Sequence, residues 1–382
     1  MSYLAAGVSL VLIAWVLVDA FEAMLLPRRI THQFRFARLF YVYSWTPWAA
    51  LARRMRPGKW RNSFLSFFGP LSVLVLTGAW AVGLIFGFAL LQWSLGSRLR
   101  SPGEGALFPV YLYFSGVTFF TLGFGDITPV DPLGRVLTVA ETGIGFAFLA
   151  VVISYLPVLY QAFSHREVTI SLLDARAGSP PTAAQLLVRL ARRHNFAVLD
   201  RFLEEWERWA AELLESHVSF PVLSYYRSQH DNQSWLAALT AILDTATLVI
   251  AGAKGVDPFQ AELTFATARH TVVDLAQVYY VPPIEPDPDR LSQDQLRRLR
   301  AELAASGMEL REGEAVEQKL AELRGMYEPF LNALARHFLL ALPPVLSDTT
   351  PVDNWQTSAW MRRTSGIGRL SLPEQPGDDH RD

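Results

Sequence analysis

Residues 108–129 read FPVYLYFSGVTFFTLGFGDITP, and this stretch decides the fold. Pro109 suits the opening of a helix, because the N–H it lacks is one that a first turn leaves unpaired anyway. The apolar run ends near Phe119. It is too short to cross a bilayer, which takes about 20 residues. Flanked by longer apolar segments, it must enter the membrane and return. Backbone of that kind survives at membrane depth only if it is buried in protein or lines water. Thr121-Leu122-Gly123-Phe124-Gly125-Asp126 follows directly. Glycines at alternate positions permit left-handed dihedrals at every second residue, and successive carbonyls can then face one axis.

Three segments are long enough to span: Tyr3 to Leu26, Leu65 to Trp93 and Val136 to Tyr160. The first has no basic residue ahead of it and no small-residue cleavage site, so it is expected to be a retained helix. Between the first two spans lie Arg28, Arg29, Arg35, Arg38, Arg53, Arg54, Arg56, Lys59 and Arg61, with no acidic residue. The positive-inside rule makes this loop cytoplasmic and the N-terminus external in a multi-pass protein of the cell (inner or plasma) membrane. The aromatics Phe34, Phe36, Phe40, Tyr43, Trp45 and Trp48 suit an amphipathic segment in the inner interface; the alternative is packing against a soluble domain. Asp19 and Glu22 share one helical face within two turns of Arg28 and Arg29, where a basic partner or interfacial water is expected to hold them.

Composition divides the chain. With 51% hydrophobic and 18% charged residues it is poorer in charge than a soluble protein, which carries about 25%. Residues 1–166 hold thirteen Lys+Arg and six Asp+Glu; the rest hold twenty-one and thirty. An apolar basic part followed by an acidic polar part reads as two domains in two solvents. With no Cys, disulfides, thiolate metal sites and cysteine nucleophiles are excluded.

TLGFGD resembles the selectivity-filter signature T-V-G-Y-G-D of the potassium channel superfamily, in its G-F-G variant. The likeness covers Leu65 to Tyr160. Thr118 stands where members commonly carry a Thr, Gly134-Arg135 opens the third span as in many members, and Gly145 falls at the usual inner-helix hinge glycine. Leu122 replaces the usual Val, and Phe124 replaces the usual Tyr and removes a bracing hydroxyl. The resemblance implies an all-α membrane protein: a tetrameric pore-loop channel with a re-entrant pore helix, passing K⁺. The residues support that chemistry by themselves. The carbonyls of Thr121, Leu122, Gly123 and Phe124, with the Thr121 hydroxyl, would replace a cation's water shell. Gly125 completes the filter, Leu122 and Phe124 point into its wall, and Asp126 would raise the cation concentration at the outer mouth. A K⁺ filter uses four such loops, so one per chain implies a homotetramer.

On the inner helix, Gly143, Gly145 and Pro157 are candidates for bending; close packing is the other reading of the glycines. Leu149 and Ile153 are candidates for a hydrophobic gate. Glu141 is expected to support the filter or pore helix through a hydrogen bond, together with Thr118. No apolar run carries Arg or Lys at every third position, so no voltage sensor is expected.

The expected organisation is 1–64, a membrane helix with a basic interfacial segment; 65–165, the pore domain; 166–346, a helical cytoplasmic domain; and 347–382, a disordered tail. Apolar residues recur at helical spacing in Thr182–Glu215, Ser234–Ala251, Pro258–Val281, Leu291–Ala305 and Glu314–Leu342. Ser292 with Gln295 reads as a capping box. His270 and Asp274 share a helical face and read as a simple hydrogen-bonded pair. Without HExxH, P-loop, nucleophile elbow or GxGxxG, no enzyme, nucleotide-binding Rossmann domain, resident metal, cofactor or nucleic-acid partner is expected. The expected partners are membrane lipids and further copies of the chain, with K⁺ as the permeant ion and the regulatory ligand unassigned. A weakly selective cation channel and a non-conducting membrane-anchored helical sensor or scaffold are the alternatives.

Overall fold

The computed structural model describes residues 2–26, 36–101, 107–192, 196–230 and 232–347. Arg28, Arg29, Phe34 and Arg35 and the expected tail beyond Ser347 lie outside the described residues. Two compact units emerge, one of Met1–Arg56 with Ser63–Gln161, the other of Pro57–Asn62 with the described residues from Ala162 onward.

The first unit holds α1 (Ser2–Met24), α2 (Phe36–Arg54), most of α3 (Lys59–Ser94), α4 (Phe108–Phe119) and the start of α5 (Pro132–Ala177). A two-residue antiparallel ladder pairs β1 (Leu99–Arg100) with β2 (Thr128–Pro129). Small residues let α1 and α3 approach closely, the usual device where lipid removes any hydrophobic drive between helices. A Cβ at Gly87 would stand 2.7 Å from Ile13, and one at Gly83 would stand 3.2 Å from Val16. Ile13, Val16, Trp80, Leu84, Phe88, Phe119 and Phe148 form the buried centre.

Two expectations change here. Asp19 is buried without help from a basic side chain among its described hydrogen bonds. Its Oδ2 accepts from the Ala37 amide at 3.1 Å and from Trp80 Nε1 at 2.9 Å, tying α1 to α2 and α3. The aromatics of α2 pack on α1 and α3. Trp48 stacks on Phe64 at 4.4 Å, Trp45 meets Phe68 at 4.8 Å, and Phe36 meets Trp15 at 5.9 Å, while Tyr43 remains exposed. The inner helix also outruns its expected end near Tyr160 and continues unbroken to Ala177.

The second unit contains α6 (Ala183–Ala191), α7 (Phe196–Ser219), a short 3-10 turn (Pro221–Tyr225), α8 (Trp235–Gly252), α9 (Phe259–Val278), α10 (Gln293–Ala305), α11 (Glu314–Gly325) and α12 (Glu328–Phe338). Two expected helices are therefore split: Thr182–Glu215 becomes α6 and α7, and Glu314–Leu342 becomes α11 and α12. α8 is apolar on every side and long enough to span a membrane, yet 89% of it is buried inside the protein. A helix that is hydrophobic all round belongs either in lipid or in a core, and here it is the core. Ala261, Thr264, Ala268, Thr271 and Leu275 form a fully buried seam along α9. Thr264 and Thr271 each donate to an α7 carbonyl, Leu203 and Ala210, at 3.0 Å. Inside the unit Asp244, Arg290 and Glu328 meet in a buried ion network, with Arg290 Nη2 2.6 Å from Asp244 Oδ2 and Nη1 3.1 Å from Glu328 Oε1. The Ser292–Gln295 capping box forms in both directions. His270 and Asp274 are a surface pair 3.5 Å apart.

Candidate functional site

The pore helix α4 has Pro109 in its first turn and ends where the TLGFGD turn begins. The Thr121 amide donates to the Thr118 carbonyl at 3.0 Å, and the Leu122 amide to Val117 at 2.9 Å. These two bonds are a Schellman closure, which needs a left-handed residue just past the helix. That residue is Thr121, with φ 56°. Gly123 and Gly125 follow at φ 62° and 77°. The helix cap thus starts an alternation that the two glycines continue. A β-substituted residue at φ > 0 is costly, and at Thr121 the cap bonds hold it there. The stretch Thr121 to Asp126 is exposed, and the space where a Cβ would stand on Gly123 or Gly125 is open.

Behind this turn the wall is built from polar clamps. Glu141 is fully buried on α5. Its Oε1 meets Ser115 Oγ of the pore helix and its Oε2 accepts from Gln92 Nε2 of α3 at 3.3 Å. Ser115 Oγ also lies 2.8 Å from the Ile85 carbonyl. One carboxylate thereby joins all three helices of the pore segment. Asp126 accepts from the Tyr113 hydroxyl at 3.0 Å. Asp131 caps α5: it accepts from the Gly134 amide at 2.8 Å and from the Arg98 amide at 2.7 Å. Those amide bonds, Gly134's first, hold its carboxyl below the usual range. A Cβ on Gly134 would lie 2.2 Å from Ser97 Oγ, which accounts for glycine there.

The candidate inner-helix residues separate. Gly145 packs against the end of the pore helix, and a Cβ there would stand 2.2 Å from the Phe119 carbonyl oxygen. Gly143 has open space around it. Leu149 is half-buried, while Ile153 and Pro157 are exposed. Thr118 is buried within the pore helix. Tyr113, Ser115, Gln92 and Asp131 escape sequence reading. Asp131-Pro132 carries a readable N-cap signal, whereas the other three depend on contacts across helices.

The ion channel family model matches residues 71–161, a segment running from α3 through the pore helix and TLGFGD into α5. The membrane protein YdjJ of Bacillus subtilis (strain 168) is 25% identical over 233 residues, covering 59% of this chain and 67% of that protein. The LctB proteins of Bacillus caldotenax and Geobacillus stearothermophilus are 29% and 31% identical over 85 residues, 20% of this chain. The chain spans 63% of the length of each LctB protein. No solved structure matches. The chain is a helical membrane protein, and its segment 71–161 is similar in sequence to the ion channel family.

Proposed function

We propose that the protein is a homotetrameric potassium channel whose filter is the main chain of Thr121 to Gly125. The carrying observation is the left-handed backbone at Thr121, Gly123 and Gly125, set directly after α4, an apolar helix too short to span a bilayer. With alternate residues in that conformation, carbonyls of Thr121, Leu122, Gly123 and Phe124 line one side, and the Thr121 hydroxyl adds an inner oxygen. Four copies would give stacked oxygen rings in place of a K⁺ hydration shell. Asp126, held by Tyr113, sits at the outer mouth and attracts cations. The negative end of the pore helix dipole faces the inner side of the filter and lowers the cost of a partly dehydrated cation there.

The inner helix supports fourfold assembly. Only 17% of the apolar window of α5 is buried within the chain, against 44% for α3. Val136, Val139, Phe146, Ile153 and Tyr160 on its open side follow three- and four-residue steps completed by Gly143, Ala150 and Pro157. That heptad spacing suits packing against the same helix of other copies. The basic 27–64 region favours a cytoplasmic placement for the second unit, which would regulate the pore through the α5 extension. There Arg166 is buried and donates to the carbonyls of Leu223 and Tyr226 at 2.8 and 2.9 Å. Flux through Gly123→Ala and Gly125→Ala variants in liposomes tests this reading. Loss of K⁺ flux with tetramer retained supports it; flux equal to the native protein overturns it.

A further inference from the structure

A cavity of about 800 Å³ lies in the second unit between the last turn of α5, α6 and the first turns of α7. Four arginines line it: Arg176, Arg189, Arg192 and Arg201; Glu205 is the one carboxylate among its described lining residues. This concentration stands out because the chain beyond residue 166 is acidic overall, with thirty Asp+Glu against twenty-one Lys+Arg. The Arg176 guanidinium lies over the Phe202 ring, 5.7 Å from its centre. Arg189 Nη1 donates to the Ala175 carbonyl, which fixes that side chain at the rim. Among the described residues, Arg176, Arg192 and Arg201 have no carboxylate partner. Cations near helix C-termini complement the helix dipole, and that accounts for Arg176, Arg189 and Arg192. It does not account for Arg201, which stands near the positive N-terminal end of α7.

Three helices thus bring guanidinium groups to one concave space, at the mutual repulsion of four like charges. A concave, one-signed cleft focuses its field on an anion. Guanidinium forks match phosphate oxygens bidentately, which a carboxylate-free rim of lysines would not do. The volume falls in the range of small-molecule pockets, about 300–1,000 Å³. We infer that this cavity binds an anionic, phosphate-bearing ligand, held by Arg176, Arg189, Arg192 and Arg201 with its body toward Phe202. The same groups could belong to a soluble organic phosphate or to the headgroup of an anionic lipid. The shared chemistry is phosphate, and the inference stands apart from the conduction reading because its test reads binding alone.

The test uses the full-length protein in phosphatidylcholine nanodiscs. ATP and inorganic pyrophosphate are titrated by calorimetry in one arm. In the other, the melting temperature is compared between phosphatidylcholine and phosphatidylglycerol nanodiscs. The expected result is saturable binding of ATP or pyrophosphate, one per subunit, or stabilisation by phosphatidylglycerol. Each guanidinium lost should weaken binding about tenfold, so the double variant Arg176→Gln/Arg201→Gln should weaken it about a hundredfold. Glu205→Gln, which keeps every arginine, should tighten binding and guards against a double variant that fails to fold. Binding by ATP or pyrophosphate assigns a soluble ligand, and a variant-sensitive effect confined to phosphatidylglycerol assigns a lipid. Absence of both, or binding unchanged in the double variant and in Glu205→Gln, overturns the inference.

Discussion

The carbonyl oxygen of Phe119 lies 2.2 Å from where a Cβ of Gly145 would stand, so the inner helix and the end of the pore helix touch backbone to backbone. Gly145→Ala must push them apart, and the proposed filter turn begins two residues after Phe119. The expected cost is about 1–3 kcal/mol of stability with loss of flux. Gly78→Ala, in open space on α3, should change stability by less than about 0.5 kcal/mol. Thermal melting of the two purified variants, with flux in liposomes, checks the contrast. Equal behaviour would show that the contact does not position the filter.

The Tyr113–Asp126 bond makes a prediction about the outer mouth. Tyr113→Phe should lower K⁺ flux severalfold while assembly and melting temperature stay native. Asp126→Asn should lower it most at low ionic strength, because attraction by an exposed carboxylate is screened within about 10 Å at 0.1 M salt. The deficit should shrink as an inert salt is added, and a deficit independent of salt would remove the electrostatic role.

The buried ion network of the second unit should be costly to break and cheap to replace whole. Arg290→Met leaves Asp244, nearly inaccessible, without its cation, while Glu328 keeps Arg324. A loss of about 3–5 kcal/mol is expected. Urea unfolding followed by the fluorescence of Trp206 and Trp235, in the core of that unit, measures it. A loss under 1 kcal/mol would mean that water reaches the site.

His217 predicts a pH dependence. It is fully buried, its Nδ1 2.8 Å from the Leu213 carbonyl, its Nε2 3.2 Å from Arg166 Nη1 and its ring against Trp235. Burial first, then the Arg166 charge, holds its pKa well below the usual value of 6.5. The unfolded chain therefore binds the proton more readily. Stability is complete above pH 6.5 and falls by about 1.4 kcal/mol per pH unit below it. His217→Gln, which can still accept from Arg166, should melt with a shallower dependence between pH 7.5 and 5.5. A slope identical to the native protein would contradict the assignment.

Much of this architecture is legible in residue order alone. Pro109, the length of the run to Phe119 and the T-x-G-x-G spacing announce the pore turn, because helix starts and left-handed glycines are local properties. The capping box at Ser292 is legible for the same reason. Glu141 announces itself as a buried acid, but its partners Ser115 and Gln92 lie 26 and 49 residues away and only packing joins them. Helix breaks hide when periodicity runs through them: α6 and α7 share one apolar register. Between α11 and α12 the local signal exists, in Gly325 and Pro329. The left-handed Thr121 is illegible in composition, since threonine disfavours that region and the Schellman bonds impose it.

The most direct measurement is the reversal potential of current through the purified full-length protein in a planar bilayer, with K⁺ on one side and Na⁺ on the other. A potassium-selective filter gives a reversal displaced far from zero: the K⁺ side must be held strongly negative to stop the current, and the current is abolished in Gly123→Ala. A reversal near zero, showing K⁺ and Na⁺ passing alike, would contradict it.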